Sequence, residues 1–227
     1  MAKPLPWSFS SLNKFVTCPN QYCETKVLKN FKDEPGETAL WGTYVHDCIE
    51  DAVNTGAAMP DNTKVYGPQI WSAMNGITGA KAEVELALDN KFEPCEWDKA
   101  WVRGIIDLLK FDRDEALAID WKLGKIKPDS KQLKLFALLV FYHYPQMNIV
   151  HTSFEWLQFK QHTRETFTRD QIPQLWEVFV GDLGQYARAF KTDTWQKRPS
   201  GLCKNYCAVT SCEHNGGWSG KRIKSCI

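Results

Sequence analysis

The sequence predicts an α/β protein in which a mixed central β-sheet is flanked by helices. Two observations support this prediction: the order of the helical and strand-like segments, and an Asp-x-Lys sequence inside one strand-like segment. Helical segments come first, a run of strands follows, and a helix, two strands and a helix precede a cysteine-rich C-terminal tail. Because this order is not a regular βαβ repeat, a mixed sheet is expected rather than an all-parallel one.

Each element is predicted from the spacing of apolar residues and from the residues that end it. The first helix is expected to be interrupted near Cys18-Pro19, Gly56 ends the second, and Pro145 ends the fourth. The segment 112–115 is suited to a tight connection between two strands. The predicted helices are 10–27, 38–54, 67–75, 130–144 and 169–190, and the predicted strands are 81–88, 101–111, 116–123, 150–159 and 164–167.

Composition excludes two classes of protein. Hydrophobic residues make up 43% of the 227 residues and charged residues 24%, which excludes a wholly disordered chain. The longest apolar run, 136–142, is too short to span a bilayer. The N-terminus lacks the apolar segment of a secretory signal. The protein is therefore expected in the cytoplasm.

Charge is distributed unevenly along the chain. Residues 1–32 carry a net charge of +4, residues 33–190 carry −8 and residues 191–227 carry +5. An acidic centre with basic ends is consistent with a metal site beside a phosphate-binding surface. The alternative is a chance excess of charge in each segment.

The strongest chemical signal lies in the strand 116–123. Side chains alternate along a strand, so Asp120 and Lys122 share one face with Ala118. The preceding strand carries Asp107, and a hairpin could bring Asp107 and Asp120 together. Two converging carboxylates repel each other unless a cation lies between them, and oxygen ligands suit Mg²⁺ or Mn²⁺. The alternative is a set of ion pairs at the surface ends of the strands.

Several segments taken in order resemble a known family. They are S-F-S-S-L-N-K-F-V-T-C-P at 8–19, G-T-Y-V-H at 42–46, G-I-I-D at 104–107 and D-W-K-L-G-K at 120–125, followed by Gln132 and the C-terminal cysteines. This pattern resembles the PD-(D/E)XK nuclease superfamily and, within it, the RecB-like exonucleases, including CRISPR-associated and phage-encoded members. The resemblance covers about Ser8 to His214 and implies a restriction-endonuclease-like core.

The resemblance implies a role for each matching residue. His46, Asp107 and Asp120 would bind the catalytic Mg²⁺ or Mn²⁺, and the backbone carbonyl of Trp121 would add a ligand. Lys122 would position the attacking water, and Gln132 would orient the site or contact the scissile strand. A carboxylate on the first strand, Glu83 or Glu85, would complete the acidic cluster, and Glu85 is favoured. Two positions depart from the family pattern: Ile106 replaces its proline and Phe136 replaces a tyrosine.

The activity implied is hydrolysis of DNA by a metal-activated water, in the manner of an exonuclease on single-stranded or end-exposed DNA. Homo-oligomers and partner proteins of recombination or CRISPR adaptation are open alternatives. Another function remains open: a non-catalytic DNA-binding subunit that retains the nuclease fold. A third reading is a structural protein in which the metal-bound cysteine tail is the essential feature.

The C-terminal cysteines suggest a second metal site. RecB-like nucleases of the iron–sulfur type hold a [4Fe-4S] cluster with one N-terminal and three C-terminal cysteines, which here match Cys18, Cys203, Cys207 and Cys212. The middle cysteine is displaced by one residue from the familiar spacing. A local zinc site that includes His214, or no metal at all, is the alternative. The chain is expected to form one nuclease domain over 1–227, with 1–30 and 191–227 joined by the cluster.

Ten tryptophans are a further signal. Aromatic side chains beside basic residues suit stacking on single-stranded bases, although ordinary packing is the alternative. The candidates for stacking are Trp7, Trp41, Trp195 and Trp218, whereas the tryptophans expected in the core are Trp71, Trp97, Trp101, Trp156 and Trp176.

Overall fold

A computed structural model describes residues 4–74 and 79–217 of the chain. It contains six α-helices and five strands in these ranges. The helices are α1 (Phe9–Thr17), α2 (Pro19–Tyr22), α3 (Glu37–Thr55), α4 (Gly67–Ala73), α5 (Lys131–His143) and α6 (Ile172–Thr192). The strands are β1 (Lys81–Leu88), β2 (Val102–Asp112), β3 (Glu115–Lys122), β4 (Ile149–Trp156) and β5 (Gln161–Thr168).

The five strands form one sheet in the order β1-β2-β3-β4-β5. Only β3 and β4 run parallel, and the other neighbouring pairs are antiparallel. The connection between β3 and β4 runs through α5, as a parallel pair requires. The predicted mixed sheet flanked by helices is therefore confirmed.

The chain divides into two compact units. The larger unit is Gly36–Phe179 and holds the whole sheet, whereas the smaller is built from Met1–Pro35 and Val180–Ile227. The boundary on the C-terminal side lies within α6.

In the larger unit, helices pack on both faces of the sheet. One face packs against α5. The approach is close at Gly104 of β2, where an added Cβ would lie only 2.8 Å from Leu139 Cδ1 of α5. Eight of the 13 residues of α5 are buried, as expected of a helix enclosed by apolar neighbours. The other face packs against α3 and α4 in one apolar cluster. Its buried members include Val45, Cys48, Ile49, Ile70, Ile119, Trp121, Leu123 and Leu157.

In the smaller unit, aromatic side chains join the two chain segments. Phe15, Tyr22 and Tyr186 pack edge to face, and the Tyr22 and Tyr186 hydroxyls lie 2.7 Å apart. The Tyr186 hydroxyl donates to the carbonyl of Leu5 at 3.0 Å. The guanidinium of Arg198 donates to the carbonyl of Val16 at 2.5 Å. These contacts connect residues near both ends of the chain.

Several sequence predictions differ from the structure in detail. β4 ends at Trp156 rather than at 159, because residues 157–160 form a turn, and β5 then runs from Gln161. Trp7 is fully buried rather than placed for stacking, and Trp71 is 47% exposed rather than in the core. Trp218 and Cys226 lie outside the described residues. No helix among the described residues is long and apolar enough to cross a membrane.

Two glycines should respond to an added methyl group in opposite ways. Gly104→Ala should lower the free energy of unfolding by about 1–3 kcal/mol, because the methyl overlaps the buried Leu139. Gly181→Ala should raise it by about 0.5–1 kcal/mol, because Gly181 lies in the interior of α6 and its added Cβ meets open space. Urea unfolding of both variants measures the difference, and a stabilised Gly104→Ala protein would contradict the packing of α5 on β2.

Candidate active site

The backbone N–H and C=O of Trp121 are each bound by a side chain from another element. Backbone pairing of β2 with β3 extends from Asp112–Glu115 to Leu108–Ile119 and does not continue to Asp107 and Asp120. Beyond that point the Trp121 amide donates to Asp107 Oδ2 at 2.7 Å. The Trp121 carbonyl oxygen lies 2.9 Å from His46 Nε2 of α3. A side-chain carboxylate thus replaces a main-chain partner where the two strands separate.

Three potential metal ligands lie close together beside the backbone of Trp121. His46 of α3, Glu83 of β1 and Asp107 of β2 offer ligand atoms that all lie within 4.8 Å of one another. His46 Nδ1 lies 3.3 Å from Asp107 Oδ2. No other group of three or more histidine, cysteine or acidic residues in the described ranges meets the same distance limit.

Glu83 reaches this group through an irregularity in β1. The pairing of β1 with β2 includes Ala82–Leu108 and Val84–Ile106 but omits Glu83 and Asp107, which lie opposite each other. Glu83 has φ 49°, a left-handed conformation that is uncommon for a residue other than glycine. The interruption of the ladder on both strands therefore coincides with the two carboxylates of the group.

Glu85, which the sequence favoured over Glu83, lies elsewhere. It pairs regularly with Ile105, is exposed to solvent, and is not part of the three-residue group. Strand alternation alone placed Glu83 and Glu85 on one face and could not separate them. The left-handed backbone at Glu83 distinguishes the two positions, and it leaves no signal in the sequence.

Asp120 and Lys122 of β3 are joined to α5 by Gln132. The Gln132 amide nitrogen donates to Asp120 Oδ1 at 2.7 Å, and its Oε1 accepts from Lys122 Nζ at 3.0 Å. Lys122 Nζ also lies 2.5 Å from Asp120 Oδ2, without the alignment of a hydrogen bond. The Gln132 amide thus donates to the carboxylate and accepts from the ammonium. It therefore holds Asp120 and Lys122 in fixed positions relative to each other.

The acidic residues of the site are shielded from water. The side chain of Asp107 is 10% exposed, and Asp120 as a whole is 3% exposed. Burial raises the pKa of both carboxyl groups; repulsion by Asp120 raises that of Asp107 further, whereas Lys122 counteracts the rise at Asp120. This burial does not fit the alternative reading of ion pairs at the surface ends of the strands.

The donor atoms fit a divalent cation. Carboxylate oxygens and the Trp121 carbonyl are the hard ligands that Mg²⁺ and Mn²⁺ prefer, and one imidazole favours Mn²⁺. Burial lowers the pKa of His46, which favours the neutral ring that binds metals. Oδ2 of Asp120 is buried and contacts the Lys122 ammonium at 2.5 Å. A cation bound at Asp120 would share this oxygen with Lys122.

Two acidic residues of α3 near the site, Asp47 and Glu50, were not singled out from the sequence. Burial raises the pKa of Glu83, and the charges of Glu50, Asp120 and Asp47 raise it further. Glu50 follows His46 by four residues on α3 and therefore lies on the same face of that helix. The i, i+4 spacing from His46 was the signal that could have identified it.

The cysteines of the smaller unit also lie together. Cys18, Cys203, Cys207, Cys212 and His214 line one small cavity. Burial and the neighbouring thiols of Cys203, Cys18 and Cys212 raise the pKa of Cys207. The four cysteines are free thiols. The structure therefore brings together the residues that the resemblance implied as cluster ligands.

Comparison with known proteins assigns the chain to a class and then to a family. A mixed five-stranded sheet flanked by helices, with an Asp-x-Lys strand inside it, is consistent with a restriction-endonuclease-like fold. The family model of the PD-(D/E)XK nuclease superfamily matches residues 6–212. The chain belongs to this superfamily.

Two solved structures match the chain at low sequence identity. A crystal structure named "Putative exonuclease" from Eubacterium rectale has a TM-score of 0.56 and 12% identity, and the match covers 98% of this chain and 90% of that one. The crystal structure named SSO0001 has a TM-score of 0.42 and 14% identity, over 95% of this chain and 89% of that one. No curated protein matches the chain.

The two glutamates of β1 provide a matched test of the site. Glu83→Gln should weaken Mn²⁺ binding by at least about 10-fold, because it removes one carboxylate from the three-residue group. Glu85→Gln removes the same charge two residues away and should change the affinity less than about twofold, since charges in solvent are screened. Titration calorimetry with Mn²⁺ measures both affinities. Equal losses in the two variants would rule out a specific role for Glu83.

Proposed function

We propose that the protein is a divalent-metal-dependent DNA nuclease that hydrolyses phosphodiester bonds, acting as an exonuclease on single-stranded or end-exposed DNA. The observation that supports this proposal is the convergence of His46, Glu83 and Asp107, two of which also contact the backbone of Trp121. Asp120, Gln132 and Lys122 form a hydrogen-bonded chain on the neighbouring elements. The action on DNA ends follows the RecB-like resemblance of the sequence.

In this proposal each side chain has a separate task. His46, Asp107, Asp120 and the Trp121 carbonyl hold the cation, and Glu83 contributes a further carboxylate. A bound Mg²⁺ or Mn²⁺ would neutralise charge on the phosphodiester and lower the pKa of water. The Lys122 ammonium, oriented by Gln132, positions the attacking water and stabilises negative charge on the scissile phosphate. The buried Asp120 forms an ion pair with Lys122 at 2.5 Å and so helps to place the ammonium at the site.

A second candidate function is a non-catalytic DNA-binding subunit of a recombination or CRISPR-adaptation complex. It would need the fold but not the chemistry. The complete set of Asp107, Asp120 and Lys122, with Gln132 hydrogen-bonded to two of them, favours catalysis.

We further propose that Cys18, Cys203, Cys207 and Cys212 bind a [4Fe-4S] cluster that joins the two chain ends of the smaller unit. What supports this proposal is that the four cysteines line one small cavity of the smaller unit. Four thiolates suit an iron–sulfur cluster or zinc, and a Cys₃His zinc site that includes His214 is the alternative. The small unit would then be a subdomain of one nuclease domain.

The nuclease proposal is tested by a cleavage assay on end-labelled single-stranded and duplex DNA, with Mg²⁺, with Mn²⁺ and with EDTA. Asp120→Asn and Lys122→Ala should each reduce cleavage by about 10²–10⁴-fold, because each removes a group that acts on the reacting phosphate or water. DNA binding should change little.

Asp112→Asn is the control, because Asp112 is an exposed carboxylate at the far end of β2 from the site. It should cleave like the wild type. Folded, metal-loaded wild-type protein that cleaves neither substrate would favour the non-catalytic subunit.

The cluster proposal is tested on protein purified without oxygen. The wild type should contain iron and sulfide and show broad visible absorbance, and Cys18→Ala should lose all three. Cys95→Ala is the control, because Cys95 lies in the larger unit, apart from the four cysteines. A colourless wild type with stoichiometric zinc would show the alternative site instead.

A further inference from the structure

Two exposed segments follow the parallel strands β3 and β4 at the same end of the sheet. Lys122 pairs with Trp156 in the last register position of the two strands, and the Leu157 amide donates to the Lys122 carbonyl at 2.9 Å. Leu123 and Leu157, which come next in each segment, are buried in one apolar cluster. The two segments therefore begin side by side, directly after the strand that carries Asp120 and Lys122.

Directly after each leucine comes a short run of exposed residues. We call residues 124–129 and 158–160 together the strand-end rim. Residues 124–129 connect Lys122 to the helix that carries Gln132, and residues 158–160 form the turn before β5. The carboxyl ends of strands are where ligands bind in open α/β sheets.

The rim carries positive charge without partners. The side chains of Lys125, Lys127 and Lys160 are exposed and have no hydrogen-bond or ion-pair partner among the described residues. By contrast, Lys122 is bound to Gln132, and Lys134 is bound to Ser130 and Glu165. The one acidic residue of the rim, Asp129, accepts from the Lys131 amide at the start of α5. The rim is thus basic, beside a site whose carboxylates repel a polyanion.

The rim also exposes two large apolar side chains among these lysines. Ile126 is 42% exposed between Lys125 and Lys127, and Phe159 is 45% exposed next to Lys160. Exposed apolar groups interleaved with lysines suit a strand whose phosphates and unstacked bases are both accessible. A duplex presents phosphates but keeps its bases stacked inside. The combination therefore selects single-stranded DNA over duplex.

We propose that the strand-end rim binds the single-stranded segment of the substrate next to the scissile phosphate. Lys125, Lys127 and Lys160 contact phosphates, and the ring of Phe159 stacks on a base. This inference rests on the proposed nuclease function for the identity of the substrate, and it deepens that function by assigning the surface that positions the strand. These four are positioning residues, since none of them belongs to the metal or Asp-x-Lys groups.

The test measures DNA binding by fluorescence anisotropy, with Ca²⁺ in place of Mg²⁺ so that binding is separated from cleavage. The probes are a labelled oligothymidylate and a blunt duplex of equal length. Each of Lys125→Gln, Lys127→Gln and Lys160→Gln should reduce the slope of log affinity against log salt by about 0.7 for the single strand. Arg113→Gln is the matched control, because Arg113 is an exposed charge in the β2–β3 turn, at the opposite end of the sheet. Its slope should equal that of the wild type.

Stacking is tested separately at Phe159. Phe159→Leu keeps an apolar side chain but removes the ring, and it should weaken single-strand binding by about 5-fold or more. Phe159→Trp should bind as tightly as the wild type or more tightly. Duplex binding should be the same for all three. Because residue 159 is exposed, both variants should retain the thermal stability of the wild type.

Three results would overturn the inference. One is a salt slope for the lysine variants equal to that of Arg113→Gln. Another is an equal loss of single-strand and duplex binding in Phe159→Leu, and the third is no single-strand binding by the wild type. A wild type that binds but does not cleave, and whose rim variants lose single-strand binding as stated, would refute the nuclease function while supporting the rim. A rim that instead bound a partner protein would leave all the DNA affinities unchanged.

Discussion

The larger unit depends on the way the backbone of Trp121 is held. Its N–H is bound by the Asp107 carboxylate and its carbonyl lies against His46, so one residue of β3 joins β2 to α3. For this to happen, the main-chain ladder between β2 and β3 must end at Leu108–Ile119. The strands then separate, and the gap is occupied by polar side chains rather than by backbone. A continuous ladder would pair the strand ends with each other and leave no room for a cation.

Placing these carboxylates together opposes folding. Burial disfavours their charged forms, and the pKa of Asp107 rises further because Asp120 lies nearby. The structure offsets only part of this cost, through Lys122 beside Asp120 and the amide of Gln132 between them. A divalent cation would offset the rest. The site therefore lacks a positive charge that a bound cation would supply. The same uncompensated carboxylates that lower the stability of the protein would bind the cation in the proposed reaction.

Sequence reasoning reached the parts of this site that depend on regular geometry. Strand alternation placed Asp120 and Lys122 on one face, and the hairpin brought Asp107 close to them. His46 and Gln132 came only from the family resemblance, because a lone histidine or glutamine on a helix has no distinctive spacing. Alternation could not decide between Glu83 and Glu85, because the choice depends on a left-handed residue that interrupts β1; the sequence favoured Glu85, whereas the structure groups Glu83 with His46 and Asp107. The early end of β4 at Trp156 was missed because residues 157–159 are as apolar as a strand, although they form the turn that exposes Phe159.

The two groups of candidate metal ligands differ in chemistry as well as in place. The larger unit offers carboxylates, a carbonyl and one imidazole, whereas the smaller unit offers four thiols around one cavity. Hard oxygen ligands select Mg²⁺ or Mn²⁺, and soft thiolates select iron–sulfur clusters or zinc, so neither proposed cofactor competes well for the other's ligands. A catalytic ion that exchanges with solvent can then coexist with a cofactor that is retained for structure. Each compact unit would thus gain stability from its own metal, and loss of one would not by itself remove the ligands of the other.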